Sequence, residues 1–68
     1  MSSNQNLAKN ITRLRKAKGL SQEKLARFAD VANNTLIKME SGENQNPTLE
    51  TLKKVAKALD VSVDELIG

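Results

Sequence analysis

Asn33-Asn34, with Ile37 and Lys38 following at helical spacing, are the residues of this 68-residue chain best suited to chemistry outside the fold. An asparagine amide can pair bidentately with the major-groove edge of adenine, a lysine donates to guanine O6 and N7, and an apolar side chain can meet a thymine methyl. Other chemistries lack their groups. Cysteine and histidine are both absent, which removes disulfides, the usual zinc sites and most nucleophile–base pairs. Acids and bases are then limited to surface Asp, Glu and Lys with no insertion long enough to shield them. An enzyme, a cofactor, a metal site and a small-molecule ligand are therefore not expected. Phe28 is the single aromatic, too few for a protein that stacks single-stranded bases.

Rigid elements must aim such groups, and the apolar spacing supplies helices. Leu7, Ile11 and Leu14 repeat at helical intervals, and Gly19 ends a first helix over about 6–18. Ser21 caps a second, with Glu23 in its first turn and Leu25, Ala26, Phe28 and Ala29 on its buried side, running to about 29. Asp30 makes a tight turn and Val31 pins it. A third helix, about 32–41, buries Leu36 and Met39 and stops at Ser41-Gly42. "GENQNPT" is a polar loop in which Pro47 blocks continuation and Thr48 caps the next helix. Leu49, Leu52, Val55, Ala56 and Leu59 define that fourth helix. Asp60-Val61 turns again, and Ser62 with Glu65 forms a capping box for a short fifth helix that buries Leu66, with Val63 and Ile67 beside it. No segment alternates as a strand does. The expected architecture is all-α, a compact five-helix bundle.

The second and third helices, joined by a tight turn, form a helix-turn-helix pattern with the small Ala26 where the two would crowd. Once Leu36 and Met39 point inward, positions 33, 34, 37, 38 and 41 fall on the outward arc. That arc reads Asn, Asn, Ile, Lys, Ser. The plain alternative is an ordinary solvated helix surface, with Asn33 or Asn34 serving only as a cap. Charge adds context. Residues 1–40 hold eight cations against three anions, and residues 41–68 hold three against five, a split consistent with one face turned toward a polyanion.

From about Leu7 to Ile67 the chain resembles the helix-turn-helix domain of phage repressor and Cro-like, or Xre-type, transcriptional regulators. The resemblance is carried by "ITRLRKAKGLSQEKLA", "LIKMESG" and "NPTLETLKKVAKALDVSVDELI", in that order. It implies a lambda-repressor-like fold over 6–68 behind a disordered tail of residues 1–5. It also implies sequence-specific binding of double-stranded DNA, as a small repressor and as a homodimer joined through its C-terminal helix on a palindromic site. In that family's division of labour, Asn33, Asn34 and Lys38 face bases with Ile37 alongside. Ser21 and Gln22 hold a backbone phosphate at a helix N-terminus. Thr35, the loop residues Asn44, Gln45 and Asn46, and Thr48 hold phosphates of the other strand. Arg15 and Glu40 match the family's structural ion pair, a scaffold element and not a DNA contact.

Several positions depart from the family pattern. Asp30 and Asp60 stand where glycine is usual or frequent, which predicts mild strain in both turns. Ala32 stands where serine or threonine commonly caps the third helix, which leaves that helix's start open by one residue. Ile37 is apolar where polar residues are common, and partial packing against a neighbour is its alternative role. Glu43 lies near the expected phosphate track and would repel it.

A protein-interaction module that keeps this fold without reading DNA is the competing expectation, with the fifth helix, Val63 and Ile67 as its surface. No run approaches the roughly 18 apolar residues of a membrane span, and "MSSNQN" lacks a signal-peptide core. A cytoplasmic protein without membrane association is expected.

Overall fold

The computed structural model describes residues 4–68 and builds them from five helices: α1 (Asn4–Ala17), α2 (Gln22–Ala29), α3 (Asn33–Ser41), α4 (Leu49–Leu59) and α5 (Val63–Ile67). No strand occurs among the described residues. The expected all-α, five-helix bundle is the observed fold. α1 starts two residues earlier than the apolar spacing suggested, because its polar first turn carries no periodic signal. Of the expected disordered tail, Asn4 and Gln5 belong to α1, and residues 1–3 lie outside the described residues.

The helices close into a ring. α1 packs on α3 and α5, α2 packs on α3 and α4, and α4 packs on α5. Inside lie Leu7 and Ile11 of α1, Leu25, Ala26 and Ala29 of α2, Leu36 and Met39 of α3, Val55, Ala56 and Leu59 of α4, and Leu66 of α5. Leu14, Leu20, Val31, Leu52, Val61 and Val63 pack against them from partly exposed positions.

Two apolar residues expected inside are not. Phe28 is 63% exposed, since it sits about 100° around the axis from the centre of the Leu25–Ala26–Ala29 face. Leu49 has the correct helical angle but opens α4, and it remains 58% exposed. Ile67 is also exposed, while Leu66 carries the burial of α5.

Both aspartate turns adopt the left-handed conformation, Asp30 at φ 59°, ψ 45° and Asp60 at φ 61°, ψ 42°. Each is followed by a valine that performs the same task. Val31 N–H donates to Ala26 C=O at 3.0 Å while Asp30 N–H reaches Arg27 C=O at 3.2 Å. Val61 N–H donates to Ala56 C=O at 3.0 Å while Asp60 N–H reaches Lys57 C=O at 3.1 Å. This doubled bond closes a helix end and tucks the following apolar side chain against the core. Aspartate tolerates the conformation better than most L-residues, though less well than glycine.

Three helix starts are capped by side chains. Ser21 Oγ accepts from Lys24 N–H, Thr48 Oγ1 from Thr51 N–H and Ser62 Oγ from Glu65 N–H, the last within a complete capping box. α3 begins at Asn33 after Ala32, an extended residue with no side-chain cap. Alanine therefore did not shift the start; the turn from Asp30 fixes it.

Candidate nucleic-acid interface

The short α3 is aimed by what it buries. Leu36 and Met39 are fully enclosed, so Asn33, Asn34, Ile37, Lys38 and Ser41 are all exposed on its other side. The side chains of Asn33, Asn34 and Lys38 make no hydrogen bond or ion pair among the described residues. Neither asparagine caps its own helix, so their amides remain available. Ile37 is 38% exposed, which accommodates both its expected outward role and its alternative of partial packing. Ser41 is occupied locally: its hydroxyl donates to Lys38 C=O at 3.1 Å and accepts from Glu43 N–H at 3.2 Å.

The far end of α3 is locked by the ion pair expected from sequence. Arg15 Nε donates to Glu40 Oε2 at 2.7 Å and Arg15 Nη2 to Oε1 at 3.1 Å. The side chains are 12% and 4% exposed. Arg15 Nη1 also donates to Leu20 C=O at 2.8 Å, fastening the α1–α2 connection. Two further donors reach Glu40 Oε1, Thr12 Oγ1 and Gln22 Nε2, each at 3.1 Å. A buried carboxylate needs this degree of satisfaction, because unpaired it would incur a large desolvation penalty.

Gln22 therefore has a partner that its expected phosphate role did not include. Its amide nitrogen spends one hydrogen on Glu40, at the first position of α2. Ser21 Oγ accepts from Lys24 N–H at 3.0 Å and is exposed. Of the residues expected on the opposite strand, Thr35 and Asn44 are half-buried, and Gln45, Asn46 and Thr48 are exposed. Asn44 shapes the loop: its N–H donates to Lys38 C=O at 3.0 Å and its Oδ1 accepts from Asn46 N–H at 3.2 Å. Thr48 Oγ1 caps α4 and bonds Thr51 Oγ1 at 3.0 Å. The exposed Glu43 sits between this loop and Ser41.

Two residues of α1, one supporting the site and one fastening α5, were not singled out from sequence. Thr12 lies three positions before Arg15, on the same face of α1, and that spacing was the available signal. Asn10 had no such signal. Its Nδ2 donates to Leu66 C=O at 2.8 Å and to Glu65 C=O at 3.3 Å, closing the last turn of α5 from the opposite end of the chain.

The chain's similarities agree with this geometry. A family model described as helix-turn-helix matches residues 11–66. The transcriptional regulator SinR of Bacillus subtilis is 39% identical over 61 residues, covering 90% of this chain and 55% of that protein. The cryptic phage CTXphi transcriptional repressor RstR of Vibrio cholerae is 43% identical over 54 residues, covering 79% of this chain and 47% of that protein. The chain thus spans about half the length of these curated relatives. Among solved structures, SinR in complex with DNA superposes with a TM-score of 0.88 at 39% identity, covering 91% of this chain and 98% of that one. The restriction-modification controller protein C.AhdI of Aeromonas hydrophila gives a TM-score of 0.84 at 36% identity, covering 90% and 91%.

Proposed function

We propose, from the premise that this chain belongs to the helix-turn-helix family, that it is a DNA-binding transcriptional regulator, not an enzyme, which reads the major groove of double-stranded DNA with α3. One observation carries the reading. Asn33, Asn34, Ile37 and Lys38 stand exposed on a helix whose Leu36 and Met39 are fully buried and whose end is locked by the Arg15–Glu40 pair. Both amides and the one ammonium on that arc have no partner among the described residues, and their donor and acceptor pattern fits base edges.

In this reading Asn33, Asn34 and Lys38 contact bases with Ile37 against a thymine methyl. Ser21 and Gln22 hold a phosphate at the start of α2, where the first-turn N–H groups and the helix dipole favour an anion. Thr35, Asn44, Gln45, Asn46 and Thr48 line the phosphates of the other strand. These contacts set register and carry little sequence information. The protein acts as a cytoplasmic repressor, since occluding a promoter requires only occupancy. It binds a palindrome as a homodimer, with α5 and its exposed Ile67 at the joint.

The test is selection of bound duplexes from a randomised pool at about 150 mM salt, which suppresses backbone-only binding. The expected result is a palindrome with half-sites roughly one helical turn apart. Folded protein that enriches no motif overturns the reading and directs attention to a protein partner. Sedimentation showing a monomer both at high concentration and on the selected duplex overturns the homodimer.

A further inference from the structure

We propose that Glu40 is a positioning residue for Gln22: across the α2–α3 junction it fixes which end of the Gln22 amide faces outward, and so pre-aligns a DNA phosphate contact. This rests on the DNA-binding reading above and adds a residue to it. The family resemblance assigns Glu40 only a scaffold role.

The chemistry of the bond selects one orientation. An ionised carboxylate can only accept, so it meets the Gln22 amide through Nε2, as observed at 3.1 Å. The flipped amide would set its oxygen against Glu40 Oε1. A primary amide nitrogen carries two hydrogens, and one remains after Glu40 has taken the other. That hydrogen and the N–H groups of Gln22 and Glu23, which have no partner within a helix's first turn, are donors at the start of α2, beside Ser21 Oγ, which already accepts from Lys24 N–H.

The charges near this end are mixed: Glu23, in the first turn of α2, is exposed and 3.5 Å from Arg27. Arg15 grips both oxygens of Glu40, so the carboxylate does not present an uncompensated negative charge beside the anion. The ordering cost is also met in advance. A free glutamine loses its rotamer freedom on forming a contact, whereas Gln22 is already held. Because Glu40 belongs to α3, the phosphate contact and the base-facing arc share one rigid support. The Gln22 contact then sets the depth and angle at which Asn33 and Asn34 enter the groove.

A double-mutant cycle on the selected duplex tests this. Gln22→Ala is expected to weaken binding about tenfold in the otherwise unchanged chain, the worth of a hydrogen bond to a charged group. After Glu40→Gln the same substitution is expected to cost only about fivefold, because an amide–amide contact permits both orientations of Gln22 and so halves the competent population. Equal penalties in both backgrounds overturn the proposal. Circular dichroism establishes first that the Glu40→Gln protein is folded. Should it not fold, nitrogen-15 relaxation of the side-chain amides in the unsubstituted protein decides the matter. Gln22 is expected to be restrained relative to the exposed Gln45, and equal mobility overturns the proposal. An unsubstituted chain that selects no duplex brings down the DNA-binding reading itself, an outcome visible before any variant is made.

Discussion

α2 and α3 are helices of similar length, each entered from an extended residue and left through a left-handed one, yet only α2 has a side-chain cap at its start. α2 is capped by Ser21 and closed by the Asp30–Val31 turn. α3 has no side-chain cap at Ala32, and its security lies in Leu36, Met39 and the Glu40 carboxylate. At its start, the helix that faces outward relies on tertiary burial in place of a side-chain cap. The difference shows how a small domain leaves the first turn of one helix chemically unoccupied: the backbone donors there, and the amides of Asn33 and Asn34, are not consumed by the fold.

The comparison can be broken most forcefully at Glu40's partner. Arg15→Ala leaves a buried carboxylate without its counter-charge, and a loss of about 3–5 kcal/mol in urea unfolding is expected. DNA binding would fall with the folded fraction, so the loss would not make Arg15 a contact. Asn34→Ala is the converse case. It should leave the unfolding midpoint nearly unchanged while costing about 1–3 kcal/mol in duplex binding and relaxing one base position. A loss that is equal across all sequences would make Asn34 a phosphate contact instead.

Ala32→Ser sharpens the contrast by giving α3 the cap it lacks. Ala32 already has extended dihedrals, φ −65° and ψ 143°, so a stability gain of about 0.5–2 kcal/mol in thermal or urea unfolding is expected. No gain would mean that tertiary contacts already satisfy that turn. The smallest effect belongs to Phe28→Ser, on the exposed side of α2. Its change in stability should stay within about 0.5 kcal/mol, and a larger loss would show that Phe28 packs in solution.

These positions also mark where sequence reasoning reaches its end. The helices were legible because apolar spacing, caps and turn residues each act over a few residues: Ser21, Thr48, Ser62 and the two Asp-Val turns all sit where local chemistry puts them. The outward arc of α3 followed from Leu36 and Met39 alone. Phe28 was misplaced although its helical angle already set it off the Leu25–Ala26–Ala29 face, whereas Leu49 has a suitable angle and its exposure depends on which neighbouring helix covers it, which no local pattern encodes. Gln22 showed its helix position but not its bond to Glu40, since the partner lies eighteen residues away and arrives only when α2 and α3 pack. The Arg15–Glu40 pair was legible through family resemblance and Thr12 could have been found from its spacing to Arg15, whereas the support from Asn10 is revealed only by the assembled bundle.

The bond from Asn10 to the end of α5 has a consequence for how the chain reaches its fold. It joins residues 56 apart, and a five-residue helix is far too short to persist by itself in water. Closing a loop of that length costs roughly 3–4 kcal/mol in chain entropy, which this contact and the burial of Leu66 must jointly repay. α1 through α4 can form and dock through nearer neighbours, but α5 acquires its shape only against a finished α1. During synthesis the ring therefore stays open until α5 has emerged, and any surface built on α5 takes shape only after α1 through α4 have docked.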